Sequence, residues 1–564
     1  MRKNILAVSI AAMIGGLGFA GAASAGVSID NAAAATAATV LEVTPAGTGH
    51  ILLVPYFSTQ NGNVSLLNIV NTDTTNGKAV KLRYRGAANS DDIYDITIFL
   101  SPGDVWSAEV SQKDGVSFLT TPDNSCTLPA SVNAPFATNR VKGNDKSQTL
   151  EGYIEILNMA DVPAKLVDAG GVTVNRANPL YTATKHVSST GVAPCETIPS
   201  QLADLAAGVA LDGTDATDLP LIAANPNAFN VRGYTFPTGG LMANWSIVNI
   251  SKAGSFTGDA TAVVAKDVAG DAGVSAQGNI VFSPQSAAAQ PAATIAGLTA
   301  DPLLVAGSIW DKDGVWTPTG TAPVKAALYD FPDLSTPYIG AIAPLDQANM
   351  LGSALATLSV TNEYLTNPAV SFATDWTFSM PTRRYNVALD YANSRALFNA
   401  GVETDGANPA ASFFSPVNTS LNADKTLLCV RPEPSGTSTL SYRNQSEQTS
   451  TGGYVISPGD VAVLDFCGET NVLSFNNAEG SVLGSVIARK NIQTVKSATT
   501  TAVYTDGWLK LGTPGLNDAV AAPNTGYHGL PILGHAYAKA LGVAASLGGI
   551  WKHRTDRTSI VPMP

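Results

Sequence analysis

The chain has 564 residues, with 32 Lys plus Arg against 44 Asp plus Glu, a formal net charge of −12 and a pI near 4.9. Charged residues make up 13% and hydrophobic residues 45%, against a usual charged share of roughly 25%. This excludes a solvated disordered polyelectrolyte, which needs high charge and low hydrophobicity, and it speaks against a nucleic-acid binder, because an acidic surface repels phosphate.

At the amino end, residues 1–25 predict a cleaved secretory signal. Arg2 and Lys3 form a positive start, residues 5–20 are apolar, and Ala23-Ser24-Ala25 fits the small-x-small cleavage rule. The mature chain then begins at Gly26. It has no apolar run of transmembrane length, so no transmembrane segment is expected. The expected location is the cell surface or the extracellular space, with the periplasm as the third compartment this signal serves.

Residues 26–165 read as an amino-terminal β-sandwich. Residues 51–57 are a β-rich apolar run, and Asn61-Gly62 and Asn76-Gly77 are hairpin-turn signals. Val80, Leu82 and Tyr84 alternate with Lys81, Arg83 and Arg85, which predicts a half-buried strand with one wet face. Residues 93–100 and 152–157 continue the pattern. Short strands with turn signals at roughly 8–12-residue spacing point to an immunoglobulin-like or related sandwich.

Residues 166–335 read as a middle loop-rich and β region. Within it, residues 201–211 predict a short helix, the strand signal returns at 245–250, and residues 284–303, rich in Ala, Pro and Ser, suit a linker. Residues 336–564 read as a carboxy-terminal β-rich domain. Residues 345–358 predict a helix. Trp376, Phe378 and Met380 share one face of a strand, and residues 426–430, 461–466, 483–488 and 508–511 are further strands. The expected fold class is mainly β: two or more immunoglobulin-like or related β-sandwich domains with a loop-rich, partly helical middle region. Two echoes occur. Ser101-Pro-Gly-Asp-Val105 recurs as Ser457-Pro-Gly-Asp-Val461, and residues 64–69 resemble residues 245–250. They read either as duplicated modules or as ordinary strand–turn corners.

Four cysteines, Cys126, Cys195, Cys429 and Cys467, predict two disulfides in an exported chain. Three pairings are possible, and proximity favours Cys126–Cys195 with Cys429–Cys467. Three acidic clusters are calcium candidates: Asp91, Asp92 and Asp95; Asp212, Asp215 and Asp218; and Asp311 with Asp313. Clustered oxygen ligands suit a hard cation, although none of the three follows the EF-hand spacing. No other cofactor is expected. The serine-nucleophile elbow, the zinc-protease motif and the phosphate-binding loop are missing from the sequence. A dinucleotide-like Gly16-Leu-Gly-Phe-Ala-Gly21 falls inside the signal. His528 and His535 lack a recognised ligand spacing. Arg383-Arg384 and the basic stretch 552–557 could meet an acidic polysaccharide, or are solvated edges. Trp106, Trp245, Trp310, Trp316 and Trp376 could stack on sugars, but fit core strands better.

An exported, acidic, charge-poor, Thr/Ala/Gly-rich β chain resembles bacterial surface-layer proteins. Residues 49–57 through Ser101-Pro-Gly-Asp-Val-Trp106, Thr374-Asp-Trp-Thr-Phe-Ser-Met-Pro-Thr-Arg-Arg384 and Gly529-Leu-Pro-Ile-Leu-Gly534 are similar to secreted cell-surface proteins of Gram-negative bacteria, over about a quarter of the chain. The resemblance implies a non-enzymatic protein that self-assembles into an envelope coat, helped by calcium and by lipopolysaccharide. The expected partners are further copies of the chain and lipopolysaccharide or another envelope polysaccharide. The alternatives are a secreted adhesin or polysaccharide-binding sandwich and, behind it, a secreted hydrolase.

Overall fold

The structure, a computed structural model, describes residues 28–30, 40–167, 173–197, 233–235, 237–266, 280–282, 344–391, 393–398, 413–432, 440–444, 455–456, 460–461, 465–475, 481–493, 504–513, 515, 529–540 and 548–556. The expected signal, the 201–211 helix, the 284–303 linker, Trp310 and Trp316 lie outside these residues. The chain is mainly β, built from several antiparallel sheets.

Alternating apolar residues build the first body as two facing sheets. One has six strands, in the order Ala134–Pro135, Val116–Thr120, Val105–Lys113, Val64–Asn71, Leu241–Asn249 and Gly254–Asp259. The other has seven, in the order Val40–Val43, Thr261–Lys266, Ile51–Ser58, Glu151–Val162, Gly77–Gly86, Asp92–Leu100 and Cys126–Leu128. Leu67, Ile69, Trp106 and Trp245 of the first sheet meet Val54, Leu82, Ile96 and Ile156 of the second in one buried cluster. That is a β-sandwich. It does not end at residue 165, because Leu241–Asn249 and Thr261–Lys266 are interior strands of its two sheets. Part of the expected middle region therefore completes the amino-terminal body.

The second body again has two sheets. Its five-stranded sheet runs Arg489–Gln493, Thr470–Phe475, Phe372–Ser379, His535–Ala540 and Gly548–Lys552. Its four-stranded sheet runs Leu440–Asn444, Asp506–Gly512, Ser359–Leu365 and Arg554–Asp556. Trp376, Phe378 and Phe475 pack there with Val360, Tyr364 and Leu509. The expected helix is present as Pro344–Leu355, with Leu351 and Leu355 buried on Leu41, Leu53 and Val263 of the first body. Conversely, Val472, Leu483, Ala488 and Tyr537 sit in the first body's core cluster. The two bodies thus share apolar packing.

Both favoured disulfides are formed, Cys126–Cys195 and Cys429–Cys467, with S–S distances of 2.06 and 2.05 Å. Several local expectations are corrected. Asn61-Gly62 and Asn76-Gly77 do turn the chain, but each joins a strand of one sheet to a strand of the other, so neither makes a hairpin. Residues 483–488 form no strand; they are a loop laid on the first body. The echo of 64–69 in 245–250 is not a mark of separate modules, because Val64–Asn71 and Leu241–Asn249 are paired neighbours in one sheet. Residues 457–459 of the second Ser-Pro-Gly-Asp copy lie outside the described residues.

Candidate functional site

The strand Gly77–Gly86 positions the site. Strand alternation aims Val80, Leu82 and Tyr84 into the sandwich and Lys81, Arg83 and Arg85 out the other side. The expectation of a wet face fails there: Lys81, Arg83 and Arg85 are completely buried. Around Arg85 and Glu155 the cover comes from the second body, which brings Arg383, Arg384, Tyr391 and Glu469 to this face, while at Ala79 and Phe99 it comes from Leu180, Ala183 and Ala193.

Register supplies the counter-charges. Across one side, Arg83 is paired with Glu155; across the other, Arg83 faces Asp95 and Arg85 faces Asp92. The Arg85 Nε donates to Glu155 Oε2 at 3.0 Å, and its Nη1 lies 3.4 Å from Asp92 Oδ2. Arg140 Nη1 is 3.3 Å from the same oxygen. Arg83 Nε lies 3.8 Å from Asp95 and 3.9 Å from Asp92, and Lys81 Nζ lies 4.0 Å from Asp95. In the second body, Arg383 Nε meets Glu469 Oε2 at 2.7 Å, while its Nη1 donates to the carbonyls of Leu428 and Gly468 at 2.8 and 3.0 Å.

Hydrogen bonds sew the two bodies together around these ions. Tyr391 Oη donates to Asp91 Oδ2 at 2.6 Å, and Asn89 Nδ2 donates to the Thr426 carbonyl at 3.0 Å. The Glu469 amide donates to the Ala87 carbonyl at 2.8 Å. Further along, Glu151 accepts from Tyr56 Oη at 2.6 Å, Ser485 Oγ at 2.7 Å, and the amides of Val486 and Ala488 at 3.2 and 2.6 Å. Asn61 and Asn63 donate to the carbonyls of Gly484 and Leu483, both at 2.6 Å. Residues 481–488 are therefore a strap, held by polar side chains of the first body.

Environment splits the carboxylates. Burial pushes Asp91 up to about 7, against the Tyr391 hydrogen bond and the pull of Arg140, Arg85 and Arg384. Burial also acts on Asp92, but Arg85, Arg140 and Arg83 outweigh it and hold that group at about 2. Glu469 is lifted to about 7, because burial, helped by Glu155, exceeds the effect of Arg383 and Arg384. The Tyr153 hydroxyl, buried beside Glu155 and Glu469, is raised well above its usual range. These groups face one another rather than a cleft.

The calcium expectation for Asp91, Asp92 and Asp95 is corrected here. Asp92 and Asp95 face guanidinium and ammonium groups, so an added cation would meet like charge. Asp212, Asp215, Asp218, Asp311 and Asp313 lie outside the described residues. Among the described residues no group of three or more His, Cys, Asp and Glu is placed to hold a metal ion. Arg383 and Arg384 are buried, so they offer no surface to a polysaccharide. Trp106, Trp245 and Trp376 are core residues, whereas Trp508 and Trp551 stand on the surface, 38% and 46% exposed. His553 Nε2 lies 2.9 Å from the Thr377 carbonyl and its Nδ1 lies 3.0 Å from Asn362 Nδ2, which fixes a neutral ring. No helix among the described residues is long and apolar enough to cross a membrane. The paired cysteines fit an oxidising compartment.

Sequence reasoning missed the ionic seam and the strap. A signal for the seam was there: basic residues at alternate positions of one strand, with acids at matching positions of the next. No protein family, curated protein or solved structure matches this chain.

Proposed function

We propose that the chain is a non-enzymatic structural protein of the cell surface, in which immunoglobulin-like or related sandwiches self-assemble into an envelope coat. Its partners on this reading are further copies of itself, with lipopolysaccharide or another envelope polysaccharide beneath. The observation that supports it most is where the scarce charge lies. Among the described residues, fifteen Lys, Arg, Asp and Glu side chains are buried. Charge is thus drawn inward, and less of it remains to be desolvated when copies pack. Contacts of one face with a different face then extend indefinitely where the rotation does not close. The disulfides and the ionic seam suit a subunit that must stay rigid outside a reducing cell interior.

The test is electron microscopy of cells with and without the gene, and of the purified protein with and without added calcium. An ordered coat lost on deletion supports the reading; an unchanged envelope removes it. A second reading, a polysaccharide-binding adhesin, is favoured by the exposed rings of Trp508 and Trp551. Loss of sugar binding in Trp508→Ala, with the envelope unchanged, would carry that one.

A further inference from the structure

We propose that the cleft between Lys252 and Lys539, on the seam but away from the ionic network, binds an oxyanion. The cleft is lined by Asn63, Asn249, Lys252, Gly254, Phe256 and Lys539 among others, and its cavity volume is about 10 Å³, room for one oxygen with the rest of the ion at the open mouth. Lys539 projects from the strand His535–Ala540 of the second body onto the edge strand Gly254–Asp259 of the first. Its residue is only 5% exposed.

The amine is under-compensated. Lys78, Lys81, Arg83, Arg85 and Arg383 are also buried, and each has a carboxylate within 4.0 Å. Lys539 has none among the described residues. Its Nζ donates at 2.9 Å to the Lys252 carbonyl, which fills one of three donor positions. Burial, helped by the like charge of Lys252, pulls the Lys539 amine below its ordinary value. A buried cation without a counter-charge is unfavourable. A phosphate, sulfate or carboxylate oxygen in the cleft supplies both the charge and the missing acceptor. Gly254 lets the amine lie against the edge strand: a Cβ there would stand 2.4 Å from the Lys539 Nζ. Phe256 and Ile247 give the cleft an apolar wall, which strengthens a charge-assisted bond by excluding water.

The inference stands apart from the coat reading, since it concerns the soluble chain. The test is the melting temperature of the full-length protein in inorganic phosphate against sodium chloride of equal ionic strength. Phosphate should raise it in a saturable way. Lys539→Met should weaken the apparent affinity about tenfold or more, the loss of one charge-assisted bond. That variant should melt at or above the wild type in chloride, because an uncompensated buried charge has been removed. Lys252→Ala should weaken binding while leaving Lys539 in place. Flotation with phosphatidylcholine vesicles, with and without phosphatidylglycerol, separates the sources. A phosphate shift without flotation assigns a soluble oxyanion. Flotation that needs phosphatidylglycerol and is lost in Lys539→Met assigns a headgroup phosphate. Equal melting in phosphate and chloride with no flotation overturns the proposal, and so does a Lys539→Met protein that responds like the wild type.

Discussion

At the scale of single residues, buried carboxyls and buried histidines act against each other as pH changes. Glu469 and Asp91 sit at about 7 in the fold, and near 4 when unfolded. The folded state binds more protons in between, so their contribution to stability falls as pH rises from about 4 to about 7. His535 and His553 are held at about 3 and about 4 by burial, against about 6.5 when unfolded. There the unfolded state takes up protons first, so stability falls as pH drops from about 6.5 to about 4. Over the shared window the two pairs oppose. Glu469→Gln leaves the histidines less opposed, so its melting temperature should fall more than that of the wild type between about pH 7 and about pH 5. His553→Gln should shift the slope the other way. Parallel profiles for the two variants would sink the assignment. A second residue-scale expectation concerns Glu151, which accepts four hydrogen bonds, three of them from the strap. Glu151→Ala strands these donors and should lower stability by about 3–5 kcal/mol in urea unfolding. Ser485→Ala, which loses one of them, should cost about 1 kcal/mol. Equal losses would mean that the strap contributes little.

Elements show what could and could not be read from the sequence. The helix Pro344–Leu355 and the strands Ile51–Ser58, Phe372–Ser379 and Asp506–Gly512 were legible because apolar periodicity is local. The disulfide partners were legible because each pair closes a modest loop, with separations of 69 and 38 residues. The role of Gly77–Gly86 was not. Its Lys-Leu-Arg-Tyr-Arg alternation is what a half-wet strand looks like, and the cover that makes it interior comes from distant segments, Leu180 and Ala183 at its Ala79 end and Arg384 and Glu469 at its Arg85 end. Residues 483–488 misled for a related reason: they are apolar because they seal another body's core, not because they pair as a strand. The strands of the seam also approach closely at one glycine. Glu151–Val162 shifts register against Ile51–Ser58 between Gly152 and Ile154, and on its other side a Cβ on Gly152 would stand 1.7 Å from the Arg85 carbonyl oxygen. Gly152→Ala must therefore push apart the strands that carry Arg85 and Glu155. It should cost about 3 kcal/mol or more, with faster amide exchange in both strands. Gly103→Ala is the comparison, since Gly103 has open space and only a positive φ of 73°. It should cost about 1–2 kcal/mol. Similar losses for the two would rule out the close approach as the cause.

For the whole molecule, the shared packing has a thermodynamic consequence. Leu483, Ala488 and Tyr537 lie in the first body's core, and Leu351 and Leu355 are buried on the outer face of its seven-stranded sheet. Neither body keeps its interior if the other unfolds. Denaturation followed by tryptophan fluorescence and by circular dichroism should give coincident single transitions; two separated transitions would show that the seam is only a docking contact. The coat reading makes a different demand on the same molecule. It requires that surfaces unused in the fold be used between copies. Ile250 is 85% exposed and Val417 63% exposed, so neither supports the fold much. Substituting either by Glu should leave folding stability within about 0.5 kcal/mol. In a contact between copies, the same Glu would have to be stripped of water with no partner built for it. A variant at a contact face should therefore melt like the wild type yet fail to form ordered arrays, by negative-stain microscopy and by sedimentation. Ile250→Glu, Val417→Glu and Trp508→Glu sample three separate strands or loops of the two bodies. If all three assemble normally, the charge-poor surface is not what holds copies together, and the coat reading loses its main physical support.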